Sequence, residues 1–124
     1  MGEIGWIRDH EPCTAHITAM ISGSTWFSVA EMDRQVVGYA RAMSDDVSVT
    51  YLVEVAVAEK YRRRGIGATL IQSCFTKFSH TAIYADVAPS AVKLVSRLGL
   101  TPRPAHLVAC ARSSQPRNTG TNVI

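Results

Sequence analysis

A long β-branched run, VSVTYLVEVAV at residues 47–57, is followed by a basic junction and then by the pattern of an amphipathic helix. The run predicts a buried strand, because β-branched and aromatic side chains pack well on a pleated surface. Two earlier runs, residues 25–32 and 35–43, are separated by the turn residues Asp33 and Arg34 and predict a β-hairpin. The first half of the chain is therefore expected to form an antiparallel meander of three strands.

The period of the apolar pattern changes after the junction. Apolar side chains recur at spacings of three and four through residues 65–78, which is typical of an amphipathic helix. A short β-rich run at residues 82–87 precedes a second helix predicted from Pro89 to Leu98, with Pro89 in its first turn and Gly99 as its C-terminal cap. Residues 105–111 suggest a closing strand. The predicted fold class is α/β: an antiparallel N-terminal meander followed by α-β-α-β in a mixed sheet.

One domain is expected over residues 1–112, followed by a disordered tail over residues 113–124. The chain has 124 residues, which suits a single domain. Its hydrophobic content of 47% and charged content of 19% are typical of a protein with a packed core. The tail is polar and rich in turn-forming residues. A short helix is also predicted over residues 14–20.

The bulk properties favour a cytoplasmic protein and argue against several classes of function. No apolar run approaches the roughly 18 residues that a membrane span requires, and the first residues lack the order of a signal peptide. The net charge of +3 does not by itself indicate a nucleic-acid-binding protein. Buried free thiols and no metal site are expected, because the three cysteines form no CxxC pair and no cluster with histidine: Cys13, Cys74 and Cys110.

The junction RRRGIG, from Arg62 to Gly67, has the composition of an anion-binding site. A helix N-terminus presents amide N–H groups without intrahelical partners and carries positive partial charge. Here no Ser, Thr, Asp or Asn caps the helix, two glycines uncover the backbone, and three arginines add charge. The junction is therefore either a phosphate-binding loop, best suited to a pyrophosphate, or a solvated basic turn.

Two common phosphate-binding motifs do not account for this junction. A Walker A loop requires G-x-x-x-x-G-K-[ST], which the sequence does not contain. A dinucleotide fingerprint would need a third glycine where Leu70 stands, although Asp86 could supply its ribose-binding acid. An antiparallel meander precedes the junction, and too little chain follows it for a doubly wound sheet.

The strand from Val55 to Val57, a short connection and R-x-x-G-x-G from Arg62 to Gly67 together resemble the cofactor loop of the GNAT acetyltransferase superfamily. A second string, Ala91 to Leu100, is similar to the family landmark A-x-x-L-Y-x-x-x-G-F. The resemblance covers roughly residues 25–112. It implies a GNAT-like mixed sheet, with acetyl-CoA as cosubstrate and no metal. The family's loop amides hold the pyrophosphate, so the implied cofactor-binding residues are Val55, Ala56, Val57, Arg62, Arg63, Arg64, Gly65, Ile66, Gly67 and Ala68.

Three positions depart from the family pattern. Val95 stands where the family commonly has a tyrosine that protonates the departing CoA thiolate. Ala88 stands where an asparagine often binds the cofactor, and Leu100 replaces a phenylalanine. The general acid is therefore unassigned. These departures support a second hypothesis, in which the chain binds acyl-CoA without efficient turnover.

Glu54 is the one ionisable carboxylate in the run YLVEVAVA, and a buried unpaired carboxylate is costly. Strict alternation would place Leu52, Glu54 and Ala56 on one face of the strand. Several family members carry an acid at this place, close to the acceptor amine. Glu54 is therefore a candidate general base, catalytic in accepting the amine proton, and the alternative is a structural ion pair with Arg41.

The leading hypothesis from the sequence is an N-acetyltransferase that moves an acetyl group from acetyl-CoA to a primary amine of a small molecule or protein. The alternative is a catalytically weak acyl-CoA binding or sensing module. Only 24 residues precede Thr25, so the segment that walls the acceptor site in the family is abbreviated. We therefore expect an open acceptor cleft, or one completed by a second subunit in a homodimer. The partners expected are acetyl-CoA and an amine, with no membrane and no nucleic acid.

Overall fold

The computed structural model of the protein describes residues 14–116. Its helices are α1 (Thr14–Gly23), α2 (Ile66–Lys77) and α3 (Val92–Arg97), and its strands are β1 (Trp26–Met32), β2 (Gln35–Ser44), β3 (Val49–Val57) and β4 (Ala82–Tyr84). Short 3₁₀ turns at Glu59–Tyr61 and Pro89–Ala91 lead into the junction and into α3. Within the described residues, no helix is long and apolar enough to cross a membrane.

The predicted antiparallel meander is confirmed. The sheet has the order β1-β2-β3-β4, and both neighbouring pairs among the first three strands are antiparallel. Asp33 and Arg34 form the first turn with φ angles of 53° and 65°. Positive φ at two successive residues matches the right-handed twist of the strands that a short hairpin joins.

Strand β4 joins the sheet parallel to β3, but it is paired over three residues only. The paired residues are Val49 with Ala82, Thr50 with Ile83 and Tyr51 with Tyr84. Strand β3 continues for six more residues to Val57, while the chain after Tyr84 leaves the sheet. The two strands therefore diverge from Tyr51 onward, and a cleft opens between them.

Helix α2 covers one face of the sheet and forms the core with it. The apolar side of the helix contributes Leu70, Ile71 and Cys74, which pack with the buried strand residues Ala40, Ala42, Leu52 and Val55. Phe78 closes the far end of the core at 2% exposure, and the Trp26 ring meets it edge-on at 6.4 Å. The predicted amphipathic helix is confirmed.

A β-bulge corrects the expected alternation in β3. Arg41 pairs with Glu54, whereas the next residue of β2, Ala42, pairs with Leu52, so Val53 is an extra residue in the strand. An extra residue shifts the side-chain alternation by one position. Leu52 and Val55 consequently both face the core, and Glu54 shares the opposite face with Arg41. Leu52 and Glu54 therefore do not lie on one face, as alternation alone would have placed them.

The expected closing strand is not formed, because residues 101–116 contain neither helix nor strand. Leu107 and Val108 are 45% and 80% exposed, so this segment adds nothing to the core. Residues 1–13 and 117–124 lie outside the described residues, and the disorder expected at the end of the tail stays a prediction.

The expectation of buried thiols holds for one described cysteine and is wrong for another. Cys74 is fully buried in the core, and burial raises the pKa of its thiol to about 11. Cys110 is exposed in the segment that follows α3. Cys13 lies outside the described residues. The apolar helix pattern could identify the first site, whereas Cys110 is exposed because its predicted strand does not form.

Candidate active site

A cleft of about 620 Å³ lies where β3 and β4 diverge. One wall of the cleft is the second half of β3. One end of the cleft is formed by the junction and the first turn of α2. The opposite wall comes from the segment after β4 and from α3. Nine of the eleven predicted site residues line this cleft: Glu54, Val55, Val57, Arg62, Arg63, Gly65, Ile66, Gly67 and Ala68.

The other two predicted site residues do not line the cleft. Ala56 is 1% exposed and packs within the sheet. Arg64 lies over the ring of Tyr61, with its guanidinium carbon 5.3 Å from the ring centroid, and Lys60 approaches the same ring at 5.4 Å. Tyr61 itself lines the cleft, although nothing in the sequence had marked it. Both cations contact one aromatic ring, which holds these basic side chains close to the junction.

The start of α2 presents its amide groups without a side-chain cap. Gly65 occupies the N-cap position with φ of 80°, a left-handed conformation that glycine adopts without strain. Its carbonyl accepts the Thr69 N–H at 3.0 Å and the Thr69 hydroxyl at 2.9 Å. The amides of Ile66, Gly67 and Ala68 belong to the first turn, where an α-helix provides no internal acceptor. These three residues all line the cleft.

Arginines flank this helix start from the junction. The Arg62 Nε donates to the Val57 carbonyl at 3.0 Å, which ties the junction to the end of β3. Arg63 has φ of 65°, so the backbone turns sharply between Arg62 and Gly65. Arg62 and Arg63 both line the cleft. Uncapped amides, the positive end of the helix and two guanidinium groups form a site suited to an anion.

Glu54 lines the cleft and is also ion-paired. Its carboxylate is 4% exposed and accepts a hydrogen bond from the Nε of Arg41 at 2.5 Å. The ion pair proposed as the alternative to a catalytic role is therefore present. Among the described residues, no fully buried side-chain nitrogen or oxygen lacks a partner. Because Arg41 bonds to Oε1 alone and Oε2 has no protein partner there, Oε2 is in contact with the solvent of the cleft.

The opposite wall contains a carboxylate held by a tyrosine. The Tyr51 hydroxyl donates to Asp86 Oδ2 at 2.6 Å, at the level where β3 and β4 separate. This hydrogen bond, with burial and the nearby negative charge, raises the pKa of Tyr51 above its ordinary value. Asp86 lines the cleft and is exposed to it. In the sequence Asp86 was weighed only as a ribose-binding acid, in a motif that does not form.

The position of the family's tyrosine is occupied by an apolar side chain. Val95 is 7% exposed, belongs to the core and lines the cleft. Ala88, which is exposed, also lines the cleft. In the described part of the lining, the hydroxyl-bearing side chains are those of Tyr61 and Ser90. No group of three or more metal-ligating side chains occurs among the described residues.

Comparison with known proteins identifies the family to which this chain belongs. The profile described as "Acetyltransferase (GNAT) family" matches residues 4–100. The chain therefore belongs to the GNAT acetyltransferase family. Comparison with curated protein sequences gives no significant match.

Solved structures agree on the fold. A GNAT family acetyltransferase of Streptococcus pneumoniae is similar at a TM-score of 0.69 and 18% identity, over 85% of this chain and 82% of that chain. An aminoglycoside acetyltransferase from an uncultured soil metagenomic sample, in complex with trehalose, is similar at a TM-score of 0.65 and 16% identity, over 88% of this chain and 80% of that chain. The aminoglycoside N-acetyltransferase AAC(6')-Iy, in complex with CoA, is similar at a TM-score of 0.59 and 18% identity, over 80% of this chain and 76% of that chain. At such identities these similarities concern the fold alone.

Proposed function

We propose that this protein is an acetyl-CoA-dependent N-acetyltransferase that transfers the acetyl group directly to a primary amine of a small molecule or protein. The observation that carries the proposal is the uncapped, glycine-containing start of α2, which opens into the cleft beside Arg62 and Arg63. Family membership supports acetyl-CoA as the ligand whose pyrophosphate this anion site would take.

The residues that line the cleft fit an elongated ligand with one anionic end. The amides of Ile66, Gly67 and Ala68 and the two arginines would bind phosphate oxygens. Beyond Tyr51, the outer edge of β3 has no strand partner in the described chain. Its backbone groups are therefore available to hydrogen-bond the amides of the pantetheine arm of acetyl-CoA. Acetyl-CoA supplies an activated thioester, and the protein has to orient it and manage the proton of the acceptor amine.

Glu54 is the side chain proposed to take that proton. Its Oε2 is open to the cleft while Oε1 is held by Arg41, so the carboxylate is fixed in orientation and still has a free acceptor atom. Arg41 occupies one oxygen of the carboxylate, so the acceptor amine can be reached only through the other, and we propose that the proton passes to it directly or through a bridging water. The general acid stays unassigned, and Ser90 is the exposed hydroxyl of the facing wall.

Ligand-dependent melting tests the cofactor. We expect acetyl-CoA and CoA to raise the melting temperature by several degrees and NADH to leave it unchanged. A ligand at about 100 times its dissociation constant stabilises the native state by roughly 2.7 kcal/mol. Arg63→Ala should reduce the shift, whereas Arg97→Ala, an exposed residue at the end of α3, should not. The absence of a shift with either CoA compound would refute the proposed ligand.

Turnover of Glu54→Gln tests the catalytic role. The amide oxygen can still accept the Arg41 hydrogen bond, so the variant keeps the geometry of this contact and loses the basic oxygen. We expect thiol release with an amine to fall about 10²–10⁴-fold in protein that circular dichroism shows to be folded. Glu31→Gln, an exposed position on β1, is the matched control. Lower stability with intact turnover would show that Glu54 is only structural.

A second candidate function is an acyl-CoA binding or sensing module with weak catalysis. Two observations favour it: Val95 provides no hydroxyl where the family has a tyrosine, and Glu54 is already paired with Arg41. This candidate predicts the same melting shift with CoA compounds. Thiol release would then not rise above the background rate with any of a panel of amines.

A further inference from the structure

The two carboxylates that line the cleft differ in their charge environment. Glu54 is paired with the Arg41 guanidinium. Asp86 has no Lys, Arg or His nitrogen within 4.0 Å among residues 14–116. Arg103 lies over the Tyr84 ring, with its guanidinium carbon 5.0 Å from the ring centroid, and forms no salt bridge with Asp86. Within the described lining, Asp86 is therefore the carboxylate that has no salt-bridge partner.

Tyr51 holds this carboxylate in place. Its hydroxyl donates to Oδ2 of Asp86 at 2.6 Å, and a hydrogen bond to an ionised acceptor is stronger than a neutral one. The raised pKa of Tyr51 keeps the hydroxyl protonated over the neutral range, so it remains the donor in this pair. A tyrosine donor orients the carboxylate without cancelling its charge. Oδ1 has no partner among the described residues and remains available to a ligand.

Asp86 and Glu54 lie on the same side of the diverging strands. In β2, Arg41 pairs with Glu54 and Met43 pairs with Tyr51, and residues two apart in a strand share a face. Tyr51 therefore shares the face of Glu54, and its hydroxyl brings the Asp86 carboxylate toward that face. Arg62 and Arg63 occupy the junction end of the same cleft. The cleft thus has a cationic end and, along its walls, one anionic group without a salt-bridge partner.

We propose that Asp86, positioned by Tyr51, binds a second ammonium group of the acceptor, so that the preferred acceptors are diamines or polyamines. This inference rests on the proposed function, because it names the substrate class of that site. One nitrogen of such an acceptor would lie near Glu54 and lose its proton, while another keeps its charge and pairs with Asp86. A monoamine of the same length lacks that second contact and should bind more weakly.

Binding of a matched pair of amines tests the proposal. Putrescine and butylamine share a four-carbon chain and differ in the second ammonium group. We would titrate both into the wild-type protein, with and without saturating CoA, and measure the dissociation constants by calorimetry. We expect putrescine to bind about 10–100-fold more tightly than butylamine, as for a charge-assisted contact. Equal affinities in the wild-type protein would overturn the proposal.

Three variants assign the preference to its residues. Asp86→Asn should abolish the preference for putrescine, and Tyr51→Phe should reduce it several-fold. Asp33→Asn, in the exposed β1–β2 turn, should leave it unchanged. In turnover assays, Tyr51→Phe should raise KM for putrescine without altering kcat or the KM for butylamine, which a general structural defect would change as well. If Asp86→Asn does not fold, Tyr51→Phe tests the inference in its place. An unchanged preference for putrescine over butylamine in Tyr51→Phe would then contradict the inference.

The same measurements separate this inference from the proposed function. If the protein does not bind CoA but loses putrescine binding on Asp86→Asn, the proposed function fails and the cation site stands. If it binds CoA and acetylates both amines equally in every variant, the proposed function stands and the cation site is refuted.

Discussion

Replacing Arg41 by methionine removes the partner of a carboxylate that the fold has already buried. Glu54 is 4% exposed and Arg41 is 15% exposed, so the ion pair lies almost entirely within the sheet and its cleft wall. Removing one member of a buried pair typically costs about 3–5 kcal/mol, because the other charge is left without compensation. Since Oε2 of Glu54 touches the cleft, we expect a value near the lower end, about 3 kcal/mol. That is a large share of the roughly 5–15 kcal/mol that stabilises a typical domain.

Urea unfolding followed by circular dichroism measures this loss. With an m-value of about 1.5 kcal/mol/M, a loss of about 3 kcal/mol lowers the midpoint by about 2 M. The double variant Arg41→Met/Glu54→Met should recover most of the loss, because apolar side chains can replace a buried ion pair at little cost. Arg97→Met, an exposed position of α3, should shift the midpoint by less than about 0.5 M.

The comparison between the single and double variants can refute this reasoning. If Arg41→Met alone costs less than about 1 kcal/mol, the Glu54 carboxylate is solvated through the cleft and does not depend on its partner. If the double variant is as unstable as the single variant, the loss comes from the packing of the Arg41 stem and not from an unpaired charge. A well-solvated Glu54 would also be freer to act as the base, so this stability measurement bears on the mechanism.

Two further predictions follow from local chemistry. A thiol reagent should label Cys110 in the native protein within minutes and Cys74 only on unfolding. The reason is that Cys74 is fully buried and the pKa of its thiol is raised to about 11. Labelling of both at similar rates would contradict the described core. Asp45 accepts hydrogen bonds from three backbone amides and one hydroxyl in the β2–β3 turn, which lower its pKa well below the ordinary value. Its contribution to stability is fully present above the unfolded pKa of about 3.9 and is lost as the pH falls toward the lowered native pKa. Urea midpoints of the wild type should therefore approach those of Asp45→Asn between about pH 5 and pH 2.5, and a constant difference would refute this linkage.

The meander and the long helix could be predicted because local chemistry specifies them. Turn residues separate β-rich runs in the first half, and the apolar spacing of residues 65–78 permits a helix with one buried side. The third strand begins at Val49, two residues later than predicted, because Asp45 binds the amides of Val47, Ser48 and Val49 in the turn. Such an Asx-type turn delays the start of the strand, although the residues in it are β-branched or small.

The parts of the fold that sequence reasoning missed depend on register and on long-range pairing. The extra residue Val53 reverses the alternation, and no residue type at that position signals a bulge. The run at residues 105–111 is apolar enough for a strand, but a strand also requires a neighbouring edge with which to pair, and it makes no such pairing here. An apolar run of this kind therefore does not by itself establish a strand.

The junction could be singled out from the sequence, whereas the residues of the facing wall of the cleft could not. The glycines and arginines from Arg62 to Gly67 form one continuous segment, so their composition alone indicates an anion site. Asp86 and Tyr51 are 35 residues apart in the chain, and only the pairing of Tyr51 with Tyr84 brings them together. Tyr61 adjoins the junction, but an aromatic residue in a basic stretch carries no signal that distinguishes a stacking role from a surface position.

The bulge and the divergence of β3 from β4 together explain why the acid and the cleft occur in the same place. Without the bulge, alternation from Leu52 would turn Glu54 toward α2 and the core, where a carboxylate would lack both Arg41 and solvent. Without the divergence after Tyr51, β4 would cover the edge of β3 and leave no cleft for Glu54 to line. The first feature sets the orientation of the acid and the second gives it access to a ligand. A variant that repairs the register, by deleting Val53, should therefore disturb the Arg41–Glu54 pair and the cleft wall together, even where the meander itself still folds.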